Sequence, residues 1–124
     1  MFESAELGHR VDKQTWKERL PPLREALLEA QFDLLDSGHT AVVVLIGGVE
    51  GAGKGEVVNA LNEWMDPRHI RTEAFGPLNE EERQHPYMWR YWKALPARGK
   101  IGILFGSWYT RPVVDRVLGG CSAA

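Results

Sequence analysis

The run Ala41-Val-Val-Val-Leu-Ile46 is apolar on both faces, rich in β-branched residues, and leads directly into glycines. A strand of that kind belongs inside a parallel sheet whose two faces are covered by helices. Parallel strands need long crossovers, so this one run asks for helices before and after it. The chain supplies them. Strands alternating with helices then define an α/β architecture with a parallel sheet.

The glycines carry a pattern of their own. Gly48-Val49-Glu50-Gly51-Ala52-Gly53-Lys54 satisfies G-x-x-x-x-G-K, and it lies between an expected buried strand and an expected helix, the setting a P-loop requires. Glycines let backbone N–H groups turn inward around phosphate oxygens, the helix dipole adds positive potential there, and Lys54 supplies a mobile cation. The expected ligand is a phosphate chain, and Gly48, Glu50, Gly51, Ala52, Gly53, Lys54 and Gly55 form the candidate binding set. Gly55 occupies the place of the Ser or Thr whose hydroxyl holds magnesium in nucleotide hydrolases, so a metal needs another ligand. Glu50 is the candidate. The alternative is a glycine-rich turn with an exposed lysine and no ligand.

Around this centre, Leu20, Leu23, Leu27, Ala30 and Leu34 recur at helical steps, with Pro21 and Pro22 suited to a first turn and Gly38 to a C-terminal cap. A second helix is expected from about Lys54 to Met65, with Val57, Leu61 and Trp64 inward and Asp66-Pro67 ending it. Arg71 to Phe75 reads as a short strand. Asn79 followed by Glu80, Glu81 and Glu82 reads as a capped helix start. Pro86 breaks that helix before Tyr87 to Leu95, Pro96 to Gly99 is a turn, and Ile101 to Phe105 is another apolar strand. Pro112 opens a last helix that has barely formed at Gly119-Gly120. Two or three strands are fewer than a usual α/β sheet, which reads as part of a larger domain.

Composition sets the outer limits. At 124 residues, with 44% hydrophobic and 26% charged residues and a net charge of −2, the chain is one small globular domain at most. Its longest strongly apolar run falls far short of the roughly 20 residues of a membrane helix. The acidic N-terminus does not resemble a secretory signal, so a cytoplasmic location is expected. Cys121 is the only cysteine, which excludes an internal disulfide and a Cys-based zinc cluster.

Two further stretches point to a family. Pro77-Leu-Asn-Glu-Glu-Glu-Arg83-Gln-His-Pro-Tyr87-Met-Trp89-Arg90, continuing to Leu95-Pro96-Ala-Arg-Gly99, resembles the Pro-Thr-x-x-Glu…Trp-Arg-x…Leu-Pro-x-x-Gly signature of the polyphosphate kinase 2 family. Ser107-Trp108-Tyr109-Thr110-Arg111, followed by Asp115-Arg116-Val117, resembles that family's Ser-Trp-Tyr-x-Arg…Glu-Arg-Val segment. The family's loop runs Gly-x-Asp-x-x-Gly-Lys-Gly, so Gly55 is at home there. The resemblance implies a three-layer P-loop kinase fold, incomplete in this chain. Residues 1–40 would then be a helical segment packing on the sheet, and 41–124 a partial phosphotransferase domain. It also implies phosphoryl transfer between inorganic polyphosphate and AMP or another nucleoside mono- or diphosphate, with magnesium. Lys54 and Arg111 are the implied catalytic residues. Arg83 and Arg90 are implied phosphate contacts, and a second copy or a tandem domain is the implied partner.

The departures matter as much. Glu50 replaces the loop Asp, and Phe105-Gly106 stand where the family has Asp-Arg, its Walker B carboxylate and neighbouring cation. Losing both attacks the chemical step, since phosphoryl transfer depends on neutralising charge on phosphate oxygens. The pattern resembles the degenerate first copy of the family's two-domain branch, a copy that binds or stabilises without turning over. An unrelated P-loop nucleotide-binding module is the third reading.

From Arg83 to Arg111 the chain holds six basic residues and no acid, either a polyanion track or an ordinary solvated face. Trp89, Tyr91, Trp92, Trp108 and Tyr109 read as core rather than base-stacking platforms, so nucleic acid is not an expected partner. His9, His39, His69 and His85 lack metal-ligand spacing. Ser107 could meet phosphate, but without a neighbouring His it is no nucleophile.

Overall fold

The computed structural model describes Gly8, residues 10–109, Pro112, Val113, Val117 and Gly119. The first helix, α1, spans Lys13–Ser37. It starts a full two turns before the prolines, because Asp12 caps it: the carboxylate accepts from the N–H groups of Gln14 at 3.0 Å and Thr15 at 2.9 Å. Pro21 and Pro22 therefore lie inside the helix rather than in its first turn. Gly38 closes it at φ 58°, donating its N–H to the Leu34 carbonyl.

Three strands follow, β1 (Val42–Ile46), β2 (Ile70–Ala74) and β3 (Ile101–Phe105). All pair in parallel in the order β1-β3-β2, with Ile46 and Ala74 both opposite Phe105. Helix α2 (Lys54–Trp64) joins β1 to β2, and the short α3 (Glu80–Arg83) and α4 (Trp89–Ala94) join β2 to β3. The reciprocal box expected at α3 is formed, with Glu82 N–H donating to Asn79 Oδ1 and Asn79 N–H to Glu82 Oε2.

Side-chain alternation sorts the core into two layers. Ile101 and Ile103 of β3 pack with Val58 and Met65, and Leu27, Leu34, Val44, Leu61 and Phe105 close around them. Leu104 points the other way, against Tyr91 and Ala94 of α4. Helices α1 and α2 thus cover one face and α4 the other, giving three layers. The more deeply buried strand is β3, buried from Ile101 to Leu104, and not β1. Val42 is 41% exposed because β1 is an edge of this sheet. Gly102 in β3 admits Pro96 so closely that a Cβ there would lie 2.8 Å from the proline Cδ.

Two inward faces differ from the spacing. On α1 the contact stripe runs through Leu27, Gln31 and Leu34, while Leu23 stays 47% exposed. Gln31 is buried because its amide makes both hydrogen bonds to the Asp66 backbone, at 2.9 and 2.7 Å. That pair satisfies main-chain groups where α2 ends. On α2, Val58 is the buried residue and Val57 is about half exposed. The expected final helix falls largely outside the described residues.

Candidate phosphate site

The site is the seam where β1 and β3 leave the sheet, the position at which parallel sheets place ligands. Gly106 N–H donates to the Ile46 carbonyl at 3.1 Å, which ties the end of β3 to the end of β1 just before the loop. Beyond Ile46 the chain turns at Val49–Ala52, where Ala52 N–H reaches the Val49 carbonyl at 3.3 Å. Gly51 takes φ 78° at the third position of that turn, and Gly53 takes φ 76° at the cap of α2, values that disfavour side chains. The glycine spacing in the sequence is thus the spacing of the backbone reversals.

Lys54 folds back over this bend. Its Nζ donates to the Gly48 carbonyl at 2.8 Å and the Val49 carbonyl at 2.7 Å. An ammonium has three N–H donors, so one remains for an anion. With the amino end of α2 opening at the same point, the arrangement suits an anion.

For magnesium, the loop itself offers one carboxylate, Glu50. Magnesium demands a near-octahedral set of oxygen ligands. Glu50 stands exposed on the turn, Gly55 offers no hydroxyl, and no group of three or more His, Cys, Asp or Glu side chains able to hold a metal occurs among the described residues. Phe105, at the end of β3, packs into the apolar cluster with Ile103 and Val58. Gly106 beside it adopts φ 121°, and a Cβ there would come within 3.2 Å of the Phe75 Cβ.

Of the remaining basic candidates, neither Arg83 nor Arg90 bonds to the loop. Arg83 ends α3 on the surface. Arg90 is turned inward, with its side chain 10% exposed. Its Nη1 donates to the Gly76 carbonyl at 3.1 Å, and its guanidinium lies over the Phe75 ring. Its Nε is 3.2 Å from Glu82 Oε1 but does not aim its hydrogen there, so the contact is an ion pair without a hydrogen bond. In this arrangement Arg90 braces the chain after β2. Arg111 lies outside the described residues. Tyr91 is buried and Trp108 meets its ring edge-on at 5.8 Å, whereas Trp92 and Tyr109 are exposed.

Tyr91 is core, as its spacing suggests, and together with Tyr87 it also carries hydrogen bonds that the sequence reading did not assign. The Tyr87 hydroxyl donates to the Trp108 carbonyl at 3.1 Å, and the two phenol oxygens are 3.2 Å apart. The signal available was their four-residue spacing, which places two phenols on one helical face.

Comparison with known proteins agrees with this geometry. The family model for polyphosphate kinase 2 matches residues 10–124. The polyphosphate:AMP phosphotransferase of Pseudomonas syringae pv. tomato is 55% identical over 96% of this chain, and that of Pseudomonas aeruginosa is 52% identical over the same share. This chain spans 24% of the length of either relative. The solved polyphosphate kinase 2 of Arthrobacter aurescens superposes with a TM-score of 0.84 at 29% identity, over 94% of this chain and 43% of that one. An unrelated P-loop module is thereby set aside, and no described helix is long and apolar enough to cross a membrane. With a family model matched over nearly its whole length, a glycine bend between β1 and α2 and the Ser107-Trp108-Tyr109 segment after β3, the chain belongs to the polyphosphate kinase 2 family.

Proposed function

We propose that this chain is the phosphate-gripping portion of a polyphosphate:nucleotide phosphotransferase, and a copy that binds without transferring. The observation that carries the reading is the Lys54 ammonium, bonded to the Gly48 and Val49 carbonyls with a donor to spare beside the amino end of α2. A phosphate chain of inorganic polyphosphate, or of an AMP- or ADP-type nucleotide, is the ligand whose charge matches. The relatives named for polyphosphate and AMP support that substrate class.

The silent reading rests on Phe105 and Gly106. Transfer requires charge neutralisation at the moving phosphoryl group, and an arginine alone can contribute roughly 10³-fold or more in related chemistry. Here the side chain at the carboxylate position lies in the apolar cluster. Magnesium, if it enters with a phosphate ligand, does so on that ligand's oxygens rather than on a protein cage. Chemistry in the longer protein then falls to a tandem domain or a second copy, in the cytoplasm where nucleotides are held. Incubation of the full chain with polyphosphate, AMP and magnesium is expected to yield no ADP above background, while tripolyphosphate binds. ADP formed by this chain alone would overturn the silent reading. A lack of ADP from the longer protein with every nucleotide acceptor tried would overturn the phosphotransferase assignment.

A further inference from the structure

Beyond Gly106 the chain leaves the sheet and loses its ladder of hydrogen bonds, yet it must pass beside the mouth of the loop. Ser107 stands there. A Cβ built on Gly47 would lie 3.3 Å from the Ser107 Cβ, so the serine abuts the residue that opens the bend. Its Oγ accepts the Tyr109 N–H at 3.1 Å, which leaves the hydroxyl hydrogen for a further acceptor.

What holds this segment comes from α4 and the turn before it. Tyr87 Oη donates to the Trp108 carbonyl at 3.1 Å. Tyr91 Oη lies 3.2 Å from Tyr87 Oη and, more loosely, 3.4 Å from the Ser107 carbonyl. The two phenols therefore reach consecutive peptide groups. Tyr91 is 4% exposed and its ring is clamped between Phe75 at 4.5 Å and Trp108. Burial holds its hydroxyl well above the ordinary phenol range, so it stays a protonated donor throughout the working pH range.

We propose that the Tyr87–Tyr91 pair is a positioning device that sets the Ser107 hydroxyl against the phosphate loop, where it donates to an oxygen of the bound phosphate chain. The inference rests on the anion-binding reading of the loop. It adds Ser107 as a ligand-contacting residue and Tyr87 and Tyr91 as residues that act through it.

A double-mutant cycle tests it, using the full chain, tripolyphosphate as the probe, and calorimetric titration of Ser107→Ala, Tyr87→Phe and the double variant. Tyr87→Phe removes one hydroxyl and keeps the ring. Each single variant is expected to weaken binding about 10- to 100-fold, the worth of one hydrogen bond to a charged group. The double variant is expected to be no weaker than Ser107→Ala alone, because the phenol has nothing left to position. Tyr91→Phe, probed in the same way, is expected to repeat the result. Multiplicative losses in the double variant would mean that the phenol acts through general stability, and would overturn the proposal. So would unchanged affinity in either single variant while the unsubstituted chain binds. Failure of the unsubstituted chain to bind at all would instead overturn the anion-binding reading, and this inference with it.

Discussion

Replacing Phe105-Gly106 by the family's Asp-Arg is the obvious attempt to restore chemistry, and the structure predicts that it damages the fold first. Loss of a fully buried Phe side chain costs roughly 3–5 kcal/mol. Phe105 is only partly buried, so about 2 kcal/mol is the expected share. At Gly106, φ 121° is a conformation that L side chains rarely adopt, at a cost of about 1–3 kcal/mol. The new Cβ would also press on the Phe75 Cβ at 3.2 Å. Together these losses reach about 3–5 kcal/mol, against a typical total stability of about 5–15 kcal/mol. With an m-value of about 1–3 kcal/mol/M, the urea midpoint of Phe105→Asp/Gly106→Arg should fall by roughly 2 M, with no ADP formed from polyphosphate and AMP. The single Phe105→Asp variant should show about half of the fall. A double variant with the original midpoint would refute this reasoning, and one that also gained turnover would show that the backbone accepts the pair without strain.

Four further outcomes are expected. Lys54→Ala should weaken tripolyphosphate binding about 10- to 100-fold in calorimetry, as one charge-assisted contact is lost and the Gly48 and Val49 carbonyls are freed. Gln31→Ala should lower stability by about 2–4 kcal/mol in urea unfolding, since the Asp66 N–H and carbonyl both lose their partner; a loss under 1 kcal/mol would remove the bridge from the account. Gly102→Ala should cost about 1–3 kcal/mol by thermal denaturation, because the added methyl meets the Pro96 ring in a closed layer. The Asp66 carboxyl is held down to about 2 by the Arg68 side chain and then the Arg68 N–H. A depressed carboxylate stabilises fully above its unfolded value near 3.8 and loses that contribution as pH falls toward 2, so Asp66→Asn should flatten the acid limb of the unfolding curve in that window.

Much of this was legible before any coordinates. The Ala41–Ile46 and Ile101–Phe105 runs announced strands by composition, and Asn79 with Glu82 announced a helix by local chemistry that needs no tertiary context. The loop was legible because its glycines answer to backbone angles, and those are local. What could not be read depended on partners distant in sequence. Gln31 looks like a surface residue on a helical wheel until Asp66, 35 positions away, supplies both of its hydrogen bonds. Which apolar strand lies in the middle of the sheet is a matter of topology, and both candidates were equally apolar. Arg90 reads as a free cation in a basic segment, although Glu82 and Gly76 engage it within the fold. The prolines of α1 misled because a local preference for the first turn yielded to a stronger cap at Asp12.

The central claim is that the bend from Gly48 to Lys54 receives a phosphate chain. Calorimetric titration of the full chain with tripolyphosphate, at low salt and with a chelator present, tests it most directly. A saturable one-to-one heat that is strongly reduced in Lys54→Ala is the predicted result. No heat, or the same isotherm with and without the Lys54 ammonium, would contradict it.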